Sequence, residues 1–166
     1  MDRRDKINYY LDIAEAVLER STCIRRLFGA VIVKNDEIIS TGYNGSPRGR
    51  KNCSDIGFCI RTKLNIPRGE RYELCRSVHA EQNAIISASR KELMGSSIYL
   101  ACHDAVTGNI DGNVEPCSMC RRFIINAGVK EVIIRKNKND FKVINVQDWI
   151  INDESLEGIN EYGKLN

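Results

Sequence analysis

The sequence predicts an α/β chain in which helices cover both faces of a mixed sheet. Three observations carry that reading. Short apolar runs typical of strands recur at "GAVIVK" (29–34), "EIISTG" (37–42), "SSIYLAC" (96–102) and "VKEVIIR" (129–135), with "FKVINV" (141–146) as a fifth. Asn35-Asp36 joins the first two as a hairpin. Between and around these runs lie segments of helical period, in the order helix, hairpin, helix, strand, helix, strand.

Each element has its own signal. Residues 5–20 predict a helix, with Ile7, Leu11, Ala14 and Leu18 at helical spacing. Residues 46–72, rich in Pro, Gly, Arg and Lys, predict a long loop. "CRSVHAEQNAIISASR" (75–90) predicts a helix with Val78, Gln82, Ile85, Ile86 and Ser89 on one face and Ser77 as N-cap. "NIDGNVE" (109–115) is a turn-rich connection. "PCSMCRRFIINAG" (116–128) predicts a helix with Pro116 near its first position and Gly128 as its stop. The tail from Asp148 is unassigned, and Trp149 is expected to dock it. No repeat or break divides the chain, so one domain over 1–166 is expected, with its core at 5–146 and a tail at 147–166.

Composition narrows the class. The chain has 166 residues, 42% hydrophobic and 28% charged, which suits a soluble globular protein. No apolar run approaches a membrane span, and "MDRRDKINYY" lacks the apolar core of a signal peptide, so a cytoplasmic protein is expected. A net charge of +3 is too small to argue nucleic acid by itself. Seven cysteines in such a chain argue against a disulfide framework and leave metal binding or burial.

The chemistry concentrates at two predicted helix starts. His79 and Glu81 stand two apart, so they do not share a helix face. A site using both lies off the helix N-terminus. Cys117 and Cys120, three apart, open the other helix on one face. If the two starts meet, one imidazole and two thiolates supply three zinc ligands and leave a fourth position for water, the pattern of a catalytic rather than a structural zinc. Such a centre is electrically neutral and acidifies water less than a three-histidine centre does. Glu81 then has a role as general base and afterwards general acid. Alone, His-x-Glu also fits a core histidine beside a first-turn carboxylate, and Cys-x-x-Cys fits half a zinc ribbon or a redox pair. Together, His-Ala-Glu and Pro-Cys-x-x-Cys form the signature of zinc deaminases.

The chain resembles the deoxycytidylate (dCMP) deaminase family of the cytidine-deaminase-like superfamily. The resemblance rests on "STC" (21–23), "GAVIV" (29–33), "STGYNGSPRG" (40–49), "HAEQNAI" (79–85), "EPCSMC" (115–120) and "IINAGVKEVII" (124–134). It implies a three-layer α/β/α fold with a five-stranded sheet, an oligomeric enzyme, and hydrolysis of dCMP to dUMP and ammonia. It also implies dCTP and dTTP as effectors in some members. By the same resemblance Asn44, with Gly45, lies in the loop that meets the sugar or the effector. Arg26 and Ala80 are the other candidates for that contact. Arg48, Arg50, Lys51, Arg121 and Arg122 join Arg26 as candidate phosphate cations.

Cys23, Cys53, Cys59 and Cys75 precede His79, and they are expected to close a second, structural zinc site. Cys102 is expected in the core. Residues 102–115 depart from the family, whose third strand runs almost directly into Pro-Cys-x-x-Cys. They are expected to form a rim loop, with His103 a candidate for touching substrate. A deaminase of another base (cytidine, CMP or tRNA adenosine), a non-catalytic zinc module binding nucleic acid, and a silent nucleotide sensor stay open at this stage. The acidic tail argues against an RNA substrate.

Overall fold

The computed structural model describes residues 2–157. Helix α1 (Lys6–Leu18) starts at Asp5, whose side chain accepts from the Asn8 N–H. Strands β1 (Arg26–Lys34) and β2 (Glu37–Tyr43) pair antiparallel through Asn35 and Asp36, both left-handed at φ 51° and 66°, a tight hairpin turn. Two one-turn helices, α2 (Cys53–Ile56) and α3 (Ile60–Lys63), interrupt the segment expected to be plain loop. Helices α4 (Ala80–Ile86) and α5 (Arg90–Leu93) follow, then β3 (Ser97–Asp104), α6 (Ser118–Ala127), β4 (Glu131–Arg135), β5 (Phe141–Asn145) and α7 (Val146–Ile151).

The five strands form one sheet in the order β2-β1-β3-β4-β5. Only β3 and β4 run parallel; the other neighbours are antiparallel. Helix α1 covers one face through Tyr10, Leu11, Ala14 and Leu18, against Val31, Tyr99 and Ile133. Helices α4, α5, α6 and α7 cover the other, where Ala80, Ala84, Ile124 and Val146 meet Ile32, Leu100, Cys102 and Ile134. This is a three-layer α/β/α fold with a mixed five-stranded sheet. Trp149 sits on α7 against the second core and so docks the start of the tail. Residues 158–166, the rest of the tail named above, lie outside the described residues. Among the described residues, no helix is long and apolar enough to cross a membrane.

Arg135 at the end of β4 is completely buried, and it ties the sheet to α1. Its guanidinium donates to Asn8 Oδ1 at 2.6 Å and to Asp12, and lies 3.3 Å from Glu15. The α5 helix depends on a capping box in which Ser89 and Glu92 bond each other's backbone. Ser89→Ala is expected to lower stability by about 1 kcal/mol in urea titration, with zinc content unchanged.

The helix expected over 75–90 is shorter than predicted and turned differently. It begins at Ala80; His79 is its N-cap, and Ser77 lies in the segment before it. Val78 is in a bridge with Gly45 instead of on the helix. Ile86 is 70% exposed, whereas Ala80, Glu81 and Ala84 are buried. The reason is proximity. Ser40 Oγ donates to Ala84 O at 2.7 Å, and Asn83 Nδ2 to Tyr43 O at 2.8 Å, so α4 lies with its backbone almost on β2. Only small side chains fit that face.

Candidate active site

Helices α4 and α6 start toward one point, and both begin with an unusual N-cap. Cys117, not Pro116, caps α6, so the proline precedes the cap. An N-cap residue has extended backbone, which turns its side chain back over the first turn. His79 and Cys117 both have it, at ψ 158° and 167°. Cys120, three residues on, then faces Cys117. His79 Nδ1 lies 3.4 Å from Cys117 Sγ and 3.3 Å from Cys120 Sγ. The three ligand atoms all lie within 4.8 Å of one another. One nitrogen and two sulfurs so gathered fit a tetrahedral zinc with one position left over. The two free helix N-termini favour negative charge on the sulfurs.

Electrostatics distinguish the three groups. Hydrogen bonding to Cys120 is the first cause that holds the Cys117 thiol down to about 4, opposed by burial and aided by His79. Burial pushes His79 down, but bonds to Cys117 and Cys75 and the charge of Glu81 outweigh it and take the imidazole up to about 10. Cys120 is pushed up by its bond to Cys117 and by burial. In the metal-free protein at neutral pH, then, His79 and Cys120 hold protons and Cys117 does not. Zinc needs a neutral imidazole and two thiolates, so binding releases about two protons. The sign is fixed: affinity weakens as pH falls. A competition titration with a chromophoric chelator is expected to show log affinity rising about two per pH unit over roughly pH 5–9.

Glu81 stands on the first turn of α4 and is 4% exposed. Burial raises its affinity for a proton, against the pull of His79. It lines the same cleft as His79 and Cys117, a cavity of about 670 Å³. A buried carboxyl facing a metal centre can accept a proton and release it again.

The remaining candidates separate. Ala80 and Arg26 line the cleft, and Arg26 is held by Asp111 at 2.9 Å. Asn44 also lines it, yet its amide is spent on the scaffold: Oδ1 accepts from Phe28 N at 2.8 Å and Ser21 Oγ at 2.5 Å, and Nδ2 donates to Arg26 O at 2.9 Å. Gly45 bridges Val78 and so aligns the approach to His79. Of the other cations named from sequence, Arg121 lines the cleft, paired with Glu115 and Glu154. Arg48, Arg50, Lys51 and Arg122 are not part of its lining. Arg25, Arg61, Arg68, Lys136 and Lys142 are, and sequence reasoning passed over them. They come from five separate stretches of the chain, and no spacing rule joins them.

Residues 102–115 do reach the rim. A bridge between His103 and Ile110 folds the segment back on β3, and Asn113, Val114 and Glu115 line the cleft. His103 itself points to the other face of the sheet. Its Nε2 is 2.9 Å from Glu15 of α1, so it does not meet a ligand in the cleft. The alternation of side chains along β3 explains this, since its neighbour Cys102 is buried in the opposite core. Cys23, Cys59 and Cys75 line the cleft, and Cys53 is buried. Among the described residues, His79, Cys117 and Cys120 are the one group of three or more such ligands drawn within 4.8 Å. One His/Cys/Cys metal site is therefore present.

A ligand triad at two helix starts, beside a buried carboxyl at one end of a mixed sheet, defines a zinc-dependent hydrolase. The family description "cytidine and deoxycytidylate deaminase zinc-binding region" matches residues 4–136, and the chain belongs to that family, on its deoxycytidylate branch. Deoxycytidylate deaminase of Schizosaccharomyces pombe is 34% identical over 132 residues, which cover 80% of this chain and 37% of that protein. That of Mycobacterium phage D29 is 35% identical over 141 residues, covering 82% of this chain and 98% of the phage protein. The dCMP deaminase of cyanophage S-TIM5, solved in complex with dCMP and dUMP, superposes with a TM-score of 0.55 at 28% identity, over 81% of this chain and 84% of that one.

Proposed function

We propose that this chain hydrolyses dCMP to dUMP and ammonia. The observation that carries the reading is the buried carboxyl of Glu81 in the same cleft as the ligand triad, because a structural zinc needs no such neighbour. His79, Cys117 and Cys120 would hold the zinc, which when bound supplies Lewis-acid activation of water and of the developing negative charge. The chain does the rest. Glu81 takes a proton from the water that adds at C4 and delivers it to N3 of the ring. It then takes the remaining proton of the oxygen added at C4 and passes it to the amino group, which leaves as ammonia as the C4–N bond breaks and the carbonyl forms. The cleft walls orient the base. Arg26 and the other rim cations suit a monophosphate. Relatives named for dCMP, and one solved with dCMP and dUMP, support this substrate over cytidine or tRNA adenosine.

Ammonia release from dCMP, CMP, cytidine and a tRNA stem-loop tests the proposal. Turnover of dCMP well above the other three is expected. Release from cytidine or the stem-loop with none from dCMP would replace it with another deaminase. Salt-dependent DNA binding without any release would indicate a non-catalytic module.

Further parts of the reading rest on less. A second zinc on Cys23, Cys53, Cys59 and Cys75 is supported by their proximity: burial raises the Cys53 thiol first, and the other three thiols bear on it too. Holding one ion would draw these sulfurs closer than they stand. Two zincs per chain by elemental analysis would support it, and one would remove it. A cytoplasmic protein is supported by seven free cysteines. One domain over 1–166 rests on a sequence with no repeat or break, and a homo-oligomer and dCTP or dTTP as effectors follow the resemblance. Light scattering and effector titrations address the last two.

A further inference from the structure

Tyr72 has no part in the chemistry above, yet it stands against the ligand His79. Its ring meets the imidazole at 87°, with centroids 5.6 Å apart. Both rings line the cleft. The tyrosine is itself held. Arg61, 5% exposed, lays its guanidinium 4.1 Å from the centre of the Tyr72 ring. The same guanidinium donates to Pro67 O at 2.7 Å and to Glu70 O at 2.6 Å. Those carbonyls belong to the segment that leads into Tyr72, so one buried cation fixes both the ring and the backbone that carries it. Gly69 N donates to the tyrosine hydroxyl at 3.3 Å and closes the loop from the other side.

Metal-binding imidazoles need an orienting partner, because ring rotation about χ2 moves the ligand nitrogen off the metal. The usual partner is a hydrogen-bond acceptor on the second nitrogen. Here Cys75 lies beside the imidazole, and an aromatic ring clamped by an arginine packs against it as well. We infer that Tyr72, held by Arg61, is a positioning residue that aims His79 Nδ1 at the two thiolates, and that residues 61–72 thereby set the metal affinity of the site. The inference rests on the zinc-deaminase reading for its consequence in catalysis, but its contact with His79 does not depend on the substrate.

The test uses the full chain with zinc or Co²⁺. Tyr72→Leu is expected to lower zinc affinity about 10- to 100-fold, the range for loss of an outer partner of a metal ligand. It is also expected to shift the visible Co²⁺ bands, at unchanged far-ultraviolet circular dichroism. Tyr72→Phe, which keeps the ring, is expected to keep affinity and bands. Wild-type affinity and bands in Tyr72→Leu would overturn the inference and leave Tyr72 as mere cleft wall. So would equal losses in Tyr72→Leu and Tyr72→Phe, since the hydroxyl would then be responsible. Should Tyr72→Leu fail to fold, Arg61→Met carries the same test: it keeps the ring and removes its clamp, and unchanged bands there overturn the inference. These readouts need no substrate. An inactive wild type with an intact metal response would overturn the deaminase reading alone.

Discussion

Replacing Glu81 by Gln is expected to lower kcat on dCMP by about 10²- to 10⁴-fold, the range for loss of a general acid–base group. Zinc content is expected to stay at the wild-type value. The two expectations come from different facts. Glu81 is not among the gathered ligand atoms, so its amide analogue leaves the metal set whole. Yet it is 4% exposed and lines the cleft beside His79, so a proton carrier there is the side chain itself. Glutamine preserves shape and burial but cannot accept and release a proton. KM should move little, because in the proposed chemistry the side chain acts on the reacting atoms and not on the phosphate end. A variant that loses zinc together with activity would show instead that Glu81 supports the ligands. Retention of most of the activity would remove it from the chemistry.

The ligand set was legible because metal chemistry constrains residue type and spacing tightly. Cys117 and Cys120 have to be three apart to share a helix face, and His79 and Cys117 have to sit at helix starts to converge. Their exact place on those starts was less legible. Ser77 and Pro116 are better N-cap and first-turn residues by preference, yet His79 and Cys117 hold the caps. Local preference is worth about 1 kcal/mol at a cap, and the site geometry overrides it. The cleft cations were not legible at all. Arg25, Arg61, Arg68, Lys136 and Lys142 come together only through tertiary folding.

The α4 face illustrates a different failure. Periodicity points to Val78, Gln82, Ile85, Ile86 and Ser89 as one face; Ile85 does pack against the core, but Ile86 and Ser89 are exposed and Val78 precedes the helix. A hydrophobic stripe predicts the face that packs through bulk, whereas α4 packs through closeness. The signal for that lay elsewhere in the sequence, in Gly42 on β2, and a glycine inside a strand reads as a bulge or a close approach without naming its partner. Gly29 on β1 does the same for α1, where an added Cβ would fall 2.1 Å from Ala14 O.

Gly42→Ala is therefore expected to damage fold and site together. A Cβ at that position would lie 2.3 Å from Ala80 O and 2.4 Å from Ala84 N, both backbone atoms that cannot rotate away. The helix must move off the strand. Ser40 Oγ to Ala84 O and Asn83 Nδ2 to Tyr43 O are the bonds that stretch. The cost is expected at about 3 kcal/mol, the upper end for an overpacked core. The consequence for function follows from where α4 begins. His79 caps it and Glu81 stands on its first turn, so a shift of the helix moves one metal ligand and the proposed proton carrier while Cys117 and Cys120 stay on α6. Zinc affinity and kcat should fall together. Gly49→Ala is the control, since its Cβ meets nothing within 4 Å and only its left-handed φ of 86° resists substitution. That variant should lose about 1–2 kcal/mol and keep its zinc. Urea titration with zinc analysis on both proteins separates the cases: a Gly42→Ala protein with undiminished zinc affinity and turnover would show that the β2–α4 contact does not set the geometry of the metal centre.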